Sequence, residues 1–328
     1  MYNNVAMHLY DFLAINSEYL LIYSTVLKLV FLAGALNFIS ALGYLLKGKG
    51  SGKFYRISRY SHYSLTAALT LLFIILIEYH LTLSSITYFN PFEGGMVKFY
   101  IPVWIEKEKL LFWLWIYTMM VLYAERYRLK KFLASLYIGS SAFLIIIYLT
   151  NSFVPLPEMS TLIKQYLIWQ AQPYFNSNAV ILFKTIIGKY YLYTTGYMWI
   201  HPPMIFIAYA AFTVNFFANI FLIIKKDYVY DRVAYAYAKF GYFLLTVGLL
   251  IGYPWALKAW HGQSWWWSPI ISSSFVLWFF YSAYLHSRLY IRDRGMLNVT
   301  AAFGILGYLG VILAYLVVYL LPGVHAYT

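Results

Sequence analysis

The chain reads as an all-α fold, a polytopic transmembrane helical bundle of about eight transmembrane helices with both termini non-cytoplasmic. Composition is the first ground for this. Of 328 residues, 62% are hydrophobic and only 11% charged, with a mean hydropathy of +0.66, whereas a soluble domain carries about 25% charged residues. Charge placement is the second. Sixteen of the 24 Lys and Arg fall in four short segments between apolar runs. These hold Lys47, Lys49, Lys53, Arg56 and Arg59; Arg126, Arg128, Lys130 and Lys131; Lys225, Lys226, Arg232 and Lys239; and Arg288, Arg292 and Arg294. The chain has no cysteine, which excludes disulfides, thiolate metal sites and a cysteine nucleophile.

Eight spans follow in order: roughly 19–46, 61–87, 110–124, 132–150, 201–224, 238–257, 269–287 and 299–321. Most approach the roughly 20 residues that a bilayer crossing needs; the third is short. The basic segments follow spans one, three, five and seven, so the positive-inside rule puts them in the cytoplasm. The net charge of +13 is thereby accounted for, and no nucleic acid partner is implied. Asp11 and Glu18 interrupt the first 18 residues, which lack a basic leader, so no cleavable signal peptide is expected. The whole chain, 1–328, reads as a single transmembrane domain with an outer loop at 151–200 and a Trp-rich outer loop at 258–268. The longer loop carries Pro155, Pro157 and Pro173, with a run from Thr161 to Trp169 suited to a surface helix.

Residues 260–269 hold four of the eleven tryptophans beside His261. Such a cluster is either a dense interfacial belt or a flat aromatic shelf for a large planar ligand. Histidine is the natural metal ligand in a chain without cysteine. His201 precedes Pro202 and Pro203, and proline is tolerated in the first turn of a helix, so the imidazole is expected at the outer mouth of the fifth span. His325 follows Pro322-Gly323, a helix stop, on that same side. His286 lies 17 residues after Pro269, about 26 Å along a helix, near the cytoplasmic boundary, and His62 is expected to open the second span at the same depth. Two such imidazoles can clamp an iron, or stand as interfacial residues that never meet. His80, next to Glu78, is expected as a hydrated pair near the outer boundary. His8 and His261 are outer-face residues.

These segments, in order, resemble the tryptophan-rich haem-handling proteins of cytochrome c maturation, the CcmF-type haem lyase component first and the CcsA and CcmC proteins more distantly. His-Pro-Pro-Met at 201–204 with Tyr209 is similar to that family's outer histidine motif. Trp265-Trp266-Trp267-Ser268-Pro269, followed by Ser274-Phe275, Trp278 and Leu285-His286-Ser287, is similar to its Trp-rich loop and the next helix. Val324-His325-Ala326-Tyr327 resembles its second outer histidine motif, and Trp104 through Glu108 to Trp113 an outer-loop motif. The resemblance implies that His201 and His325 are axial ligands of an outer haem b in transit, with Trp265, Trp266 and Trp267 lining its platform. It implies that His286 holds a second, membrane-embedded haem b, whose other ligand is His62 or comes from a separate polypeptide. Ser268 and Ile271 stand where the family usually has acidic residues. Longer family members continue past the second outer histidine, so an abbreviated or split assembly factor is expected.

The function implied is a cytochrome c maturation factor of the cytoplasmic membrane, a component of a holocytochrome c synthase. It would present haem on the non-cytoplasmic face for attachment to apocytochrome c, working with a haem-delivery chaperone or other maturation subunits. The substrate's own histidine would displace His201 or His325 as product leaves. The alternative is a non-catalytic b-haem membrane subunit of a respiratory electron-transfer complex. A transporter with a histidine-lined path, suggested by the Gly252 and Pro254 break, is a third class, but corresponding halves with interrupted helices are lacking.

Overall fold

The structure, a computed structural model, describes residues 2–47, 51–83, 87–90, 95–98, 102–104, 108–150, 195–259 and 267–321. Among them are eight α-helices, one for each expected span: α1 (Tyr2–Lys47), α2 (Gly52–Leu83), α3 (Glu108–Ala124), α4 (Lys130–Leu149), α5 (Tyr197–Lys225), α6 (Tyr228–Ala259), α7 (Pro269–Arg288) and α8 (Leu297–Leu320). Six of the eight are long and apolar enough to cross a membrane; α3, at 17 residues, and the serine-bearing α7 are the other two. The chain is an integral membrane protein. A small antiparallel hairpin, β1 (Thr87–Asn90) with β2 (Gly95–Lys98), Thr87 opposite Lys98, lies in the connection between α2 and α3.

Three helices begin far earlier than hydropathy suggests, α1 among them at Tyr2 rather than 19. α2 starts at Gly52 rather than 61, and α6 at Tyr228 rather than 238. Lys53, Arg56 and Arg59 therefore occupy helical turns rather than a loop. Hydropathy reports where apolar side chains face lipid, and a helix continues beyond that slab for as long as its backbone bonds are made. The turns at this end are tight. Arg128 and Lys226 adopt left-handed conformations (φ 57° and 53°), and the Lys226 N–H donates to the Leu222 carbonyl at 2.9 Å, closing α5.

That basic end is tied across the bundle by carboxylates. Glu125, just after α3, accepts from Arg59 Nε (2.9 Å) and Tyr63 (2.6 Å) of α2 and from Tyr137 of α4 (2.7 Å). Asp231 of α6 holds Arg288 of α7 through two bonds of 3.0 and 2.9 Å, the two-pronged geometry that makes arginine–carboxylate pairs strong. All four basic segments thus gather at one end.

α5 is the central helix, packed against α3, α4, α6 and α8, with α1–α2 and α7–α8 as flanking hairpins. Helices immersed in lipid gain nothing by hiding apolar surface from each other, so close packing and polar bonds hold them. Asn37 of α1 donates to the Tyr137 carbonyl (2.8 Å) and Ser141 (3.1 Å) of α4. Asn215 of α5 donates to the Ala234 carbonyl of α6 at 2.8 Å and accepts from Tyr281 of α7 at 3.3 Å. Large apolar side chains such as Leu21, Leu29, Leu32 and Ile39 instead face outward on α1, as a lipid-facing surface requires.

Candidate functional site at the mouth of α5

At the end opposite the basic turns, α5 begins at Tyr197, so His201, Pro202 and Pro203 lie in its second turn and not at its first residue. This corrects the reading of the prolines as first-turn residues. Pro202 has no N–H to give to the carbonyl four residues back, that of Met198. The indole of Trp104, from the segment before α3, fills the gap: Trp104 Nε1 donates to the Met198 carbonyl at 2.6 Å. Trp104 also meets Trp199 edge-on (centroids 5.5 Å, 84°) and tilts against Phe112 of α3 (5.5 Å). One side chain from a distant part of the chain thereby completes the helix that carries His201.

The His201 ring faces α6. Its Nδ1 lies 2.7 Å from the Gly248 carbonyl. A carbonyl only accepts, so Nδ1 carries the proton and Nε2 keeps the lone pair. Gly252 lies against the ring: a Cβ there would stand 2.7 Å from Cε1 and 2.9 Å from Nδ1, so glycine is required for this approach. Gly248 is equally tight, a Cβ meeting Ile205 at 2.8 Å. Trp255, one turn further along α6, lies nearly parallel to the imidazole at 6.3 Å. Haem iron takes a neutral imidazole nitrogen whose partner nitrogen is anchored by a backbone carbonyl or carboxylate. His201 has such a backbone-carbonyl anchor on Nδ1.

The other expected residues fare differently. His325, Trp265 and Trp266 lie outside the described residues, as do His261 and the 161–169 run. α8 ends at Leu320, at the same end of the bundle as His201. Trp267 precedes the Ser268–Pro269 start of α7 and is 85% exposed. Trp278 is structural, its Nε1 bonded to Thr246 of α6 at 2.9 Å and its ring stacked on Tyr242.

The expected clamp of His62 with His286 is not formed. Because α2 starts at Gly52, His62 sits three turns inside it and is wholly enclosed by α3 and α4. Its Nε2 bonds the Thr118 carbonyl at 3.2 Å and Tyr137 covers its face at 4.6 Å. Its Nδ1 is buried without a partner, yet a porphyrin could reach it only by parting α2 from α4. His286 is exposed on α7, its Nδ1 directed at the Ser282 carbonyl of its own helix at 3.2 Å. α2 packs on α1, α3 and α4, and α7 on α6 and α8. His80 is also not the hydrated partner of Glu78. It is buried and bonds Glu108 at the start of α3, Nε2 to Oε2 3.0 Å, while Glu78 is exposed.

Sequence reasoning missed Gly248, Gly252, Trp255 and the Trp104 bond. The first two had a signal, the Gly-x-x-x-Gly spacing of close helix packing in membranes. The Trp104 contact had none.

The fold and this mouth define a polytopic helical membrane protein with a carbonyl-anchored imidazole near one end of the bundle. Residues 104–325 match the family described as cytochrome C assembly protein, and the chain belongs to that family. Similar relatives include the cytochrome c biogenesis protein CcsA of a Prochlorococcus marinus strain, 37% identical over 105 residues, covering 31% of this chain and 32% of that protein. CcsA of Gloeobacter violaceus is 37% identical over 98 residues, 30% of this chain and 28% of the relative. The matched segments thus span about a third of those relatives. A solved cytochrome c heme lyase, CcmF, shares the fold with a TM-score of 0.62 at 19% identity, over 89% of this chain and 46% of that one.

Proposed function

We propose that the protein holds haem b at the His201 end of the bundle, on the non-cytoplasmic face of the cytoplasmic membrane, and presents it to apocytochrome c as a component of a holocytochrome c synthase. The observation that carries this reading is the His201 geometry: Nδ1 is anchored on the Gly248 carbonyl, Nε2 keeps its lone pair, and Gly252 makes room for the ring. Haem, once held, supplies the vinyl groups to which the substrate's cysteine thiols add. The chain's part is orientation. His201 fixes the iron, Trp255 backs the imidazole, and Trp104 holds the helix turn in place, which is how positioning lowers a two-component barrier. His325 is the proposed second ligand, and Trp265, Trp266 and Trp267 the proposed platform.

A second, embedded haem remains proposed on His286 alone. Its exposure on α7 favours a ligand from a separate polypeptide over His62, and a haem-delivery chaperone or further maturation subunits complete the assembly.

The test is co-expression with an apocytochrome carrying a Cys-x-x-Cys-His segment, together with the partner subunits. His201→Ala and His325→Ala are expected to abolish covalent haem attachment with membrane insertion unchanged. Attachment at the wild-type level in both would refute the proposal. Haem that remains non-covalent and is reduced by a quinol in the wild type, with no attachment, would favour the electron-transfer subunit.

A further inference from the structure

α3 and α6 both pack on α5 and diverge at the basic end, leaving between them a groove of about 540 Å³. Ile116, Met119 and Phe240 form its apolar walls, and Tyr237 spans it, donating to the Met120 carbonyl at 2.8 Å. Met119, Tyr123, Phe240 and the neighbouring Phe243 are exposed, so the groove opens on a surface that faces acyl chains.

Its charges are both positive: Arg126 and Lys239 line it, and no carboxylate does. At this end Arg59 is neutralised by Glu125 at 2.8 Å and Arg288 by Asp231 at 2.9 Å, whereas Arg292 and Arg294 lie over tyrosine rings outside the groove. Arg126 is of the second kind but lines the groove. Its guanidinium donates to two neutral hydroxyls, those of Tyr123 and Tyr127, and lies 3.8 Å over the Tyr123 ring. Lys239 lies over the Tyr235 ring at 5.3 Å. Among the described residues neither cation has a carboxylate partner. Tyrosine rings fix the two charges in place without cancelling them, beside an apolar channel.

We propose that this groove binds an anionic phospholipid, its phosphate at Arg126 and Lys239 and an acyl chain along Ile116, Met119 and Phe240. Basic pockets between helices at the cytoplasmic boundary suit such headgroups. A free phosphate would satisfy the cations and leave the walls bare, and a neutral planar lipid would fill the walls without using the cations. The proposal is independent of what His201 holds.

Purified full-length protein in detergent would be titrated with dioleoyl phosphatidylglycerol, with dioleoyl phosphatidylcholine and with inorganic phosphate, and bound lipid read by native mass spectrometry. Phosphatidylglycerol is expected to bind in preference to phosphatidylcholine, and phosphate not to displace it. Each cation is worth roughly 5-fold, so Arg126→Gln with Lys239→Gln should weaken phosphatidylglycerol roughly 30-fold. Lys130→Gln with Lys131→Gln removes the same charge outside the groove and should change binding by less than about 3-fold. Ala236→Trp fills the groove with its cations intact and should also abolish binding, while an unchanged melting temperature shows that the fold survives. Equal binding of the two lipids, full displacement by phosphate, an equal loss in the Lys130/Lys131 variant, or a neutral quinone recovered from the groove would each overturn the proposal.

Discussion

The enclosed histidine of the α2–α3–α4 core and the histidine at the mouth of α5 begin alike and end differently. Each gives one ring nitrogen to a backbone carbonyl of a neighbouring helix, His62 to Thr118 at 3.2 Å and His201 to Gly248 at 2.7 Å. Around His62 the remaining space is taken by Tyr137 and close helix packing. Around His201 the missing Cβ of Gly252 makes room for the ring itself, and the imidazole stands in the second turn of α5, half-buried. Residue type and a carbonyl anchor are therefore not sufficient for a ligand site. Burial separates the two, His62 being fully enclosed and His201 only partly so, and helix register decides it.

The largest effect that would break this contrast comes from closing the open site. Gly252→Leu places side-chain atoms where the His201 ring lies, and overpacking of this kind costs about 1–3 kcal/mol even before ligation is disturbed. Haem retained by the purified protein should fall by on the order of 10- to 100-fold, taking the whole of that cost as lost affinity; unchanged haem content would show that the ring is not held against α6. His62→Ala should do the reverse. The buried cavity costs about 2–4 kcal/mol of stability, read as a lower melting temperature, with the haem spectrum unaltered.

Trp104→Phe sharpens the comparison further. It keeps the ring and strands the Met198 carbonyl, at about 1–3 kcal/mol. Adding Pro202→Ala returns a backbone N–H to that carbonyl, so the Trp104→Phe penalty should shrink in that background. Equal penalties with and without the proline would show that the indole bond is incidental. Smallest is Asp231→Asn at the basic end. Asn keeps one acceptor for Arg288, which is 24% exposed, so the loss is on the order of 1 kcal/mol; thermal stability should drop slightly with no change in haem.

Much of the bundle was legible in the sequence, because apolar runs of the right length have few other uses. α7 came out within a residue at each end, since Pro269 marks its first turn and basic residues its close. The starts of α2 and α6 did not, as the basic residues that signal a loop were riding on helical turns. That error of about ten residues is what misplaced His62: counted from 61 it stands at a helix start, and counted from Gly52 it is three turns deep. The placement of His201 near a helix start was legible through its prolines, though the reason was different. Prolines in a second turn are tolerated because Trp104, roughly 100 residues away, supplies the missing donor, and no local pattern encodes such a contact. The Gly248–Gly252 spacing was readable, but only Gly252 was noted, together with Pro254, as a break.

Resonance Raman and absorbance spectra of purified His201→Gly protein, with and without added imidazole, address the central assignment most directly. The His201 geometry predicts that haem is lost in the variant and that imidazole, entering the vacated space, restores a histidine-like axial signal. A variant that keeps the wild-type spectrum without imidazole would contradict it.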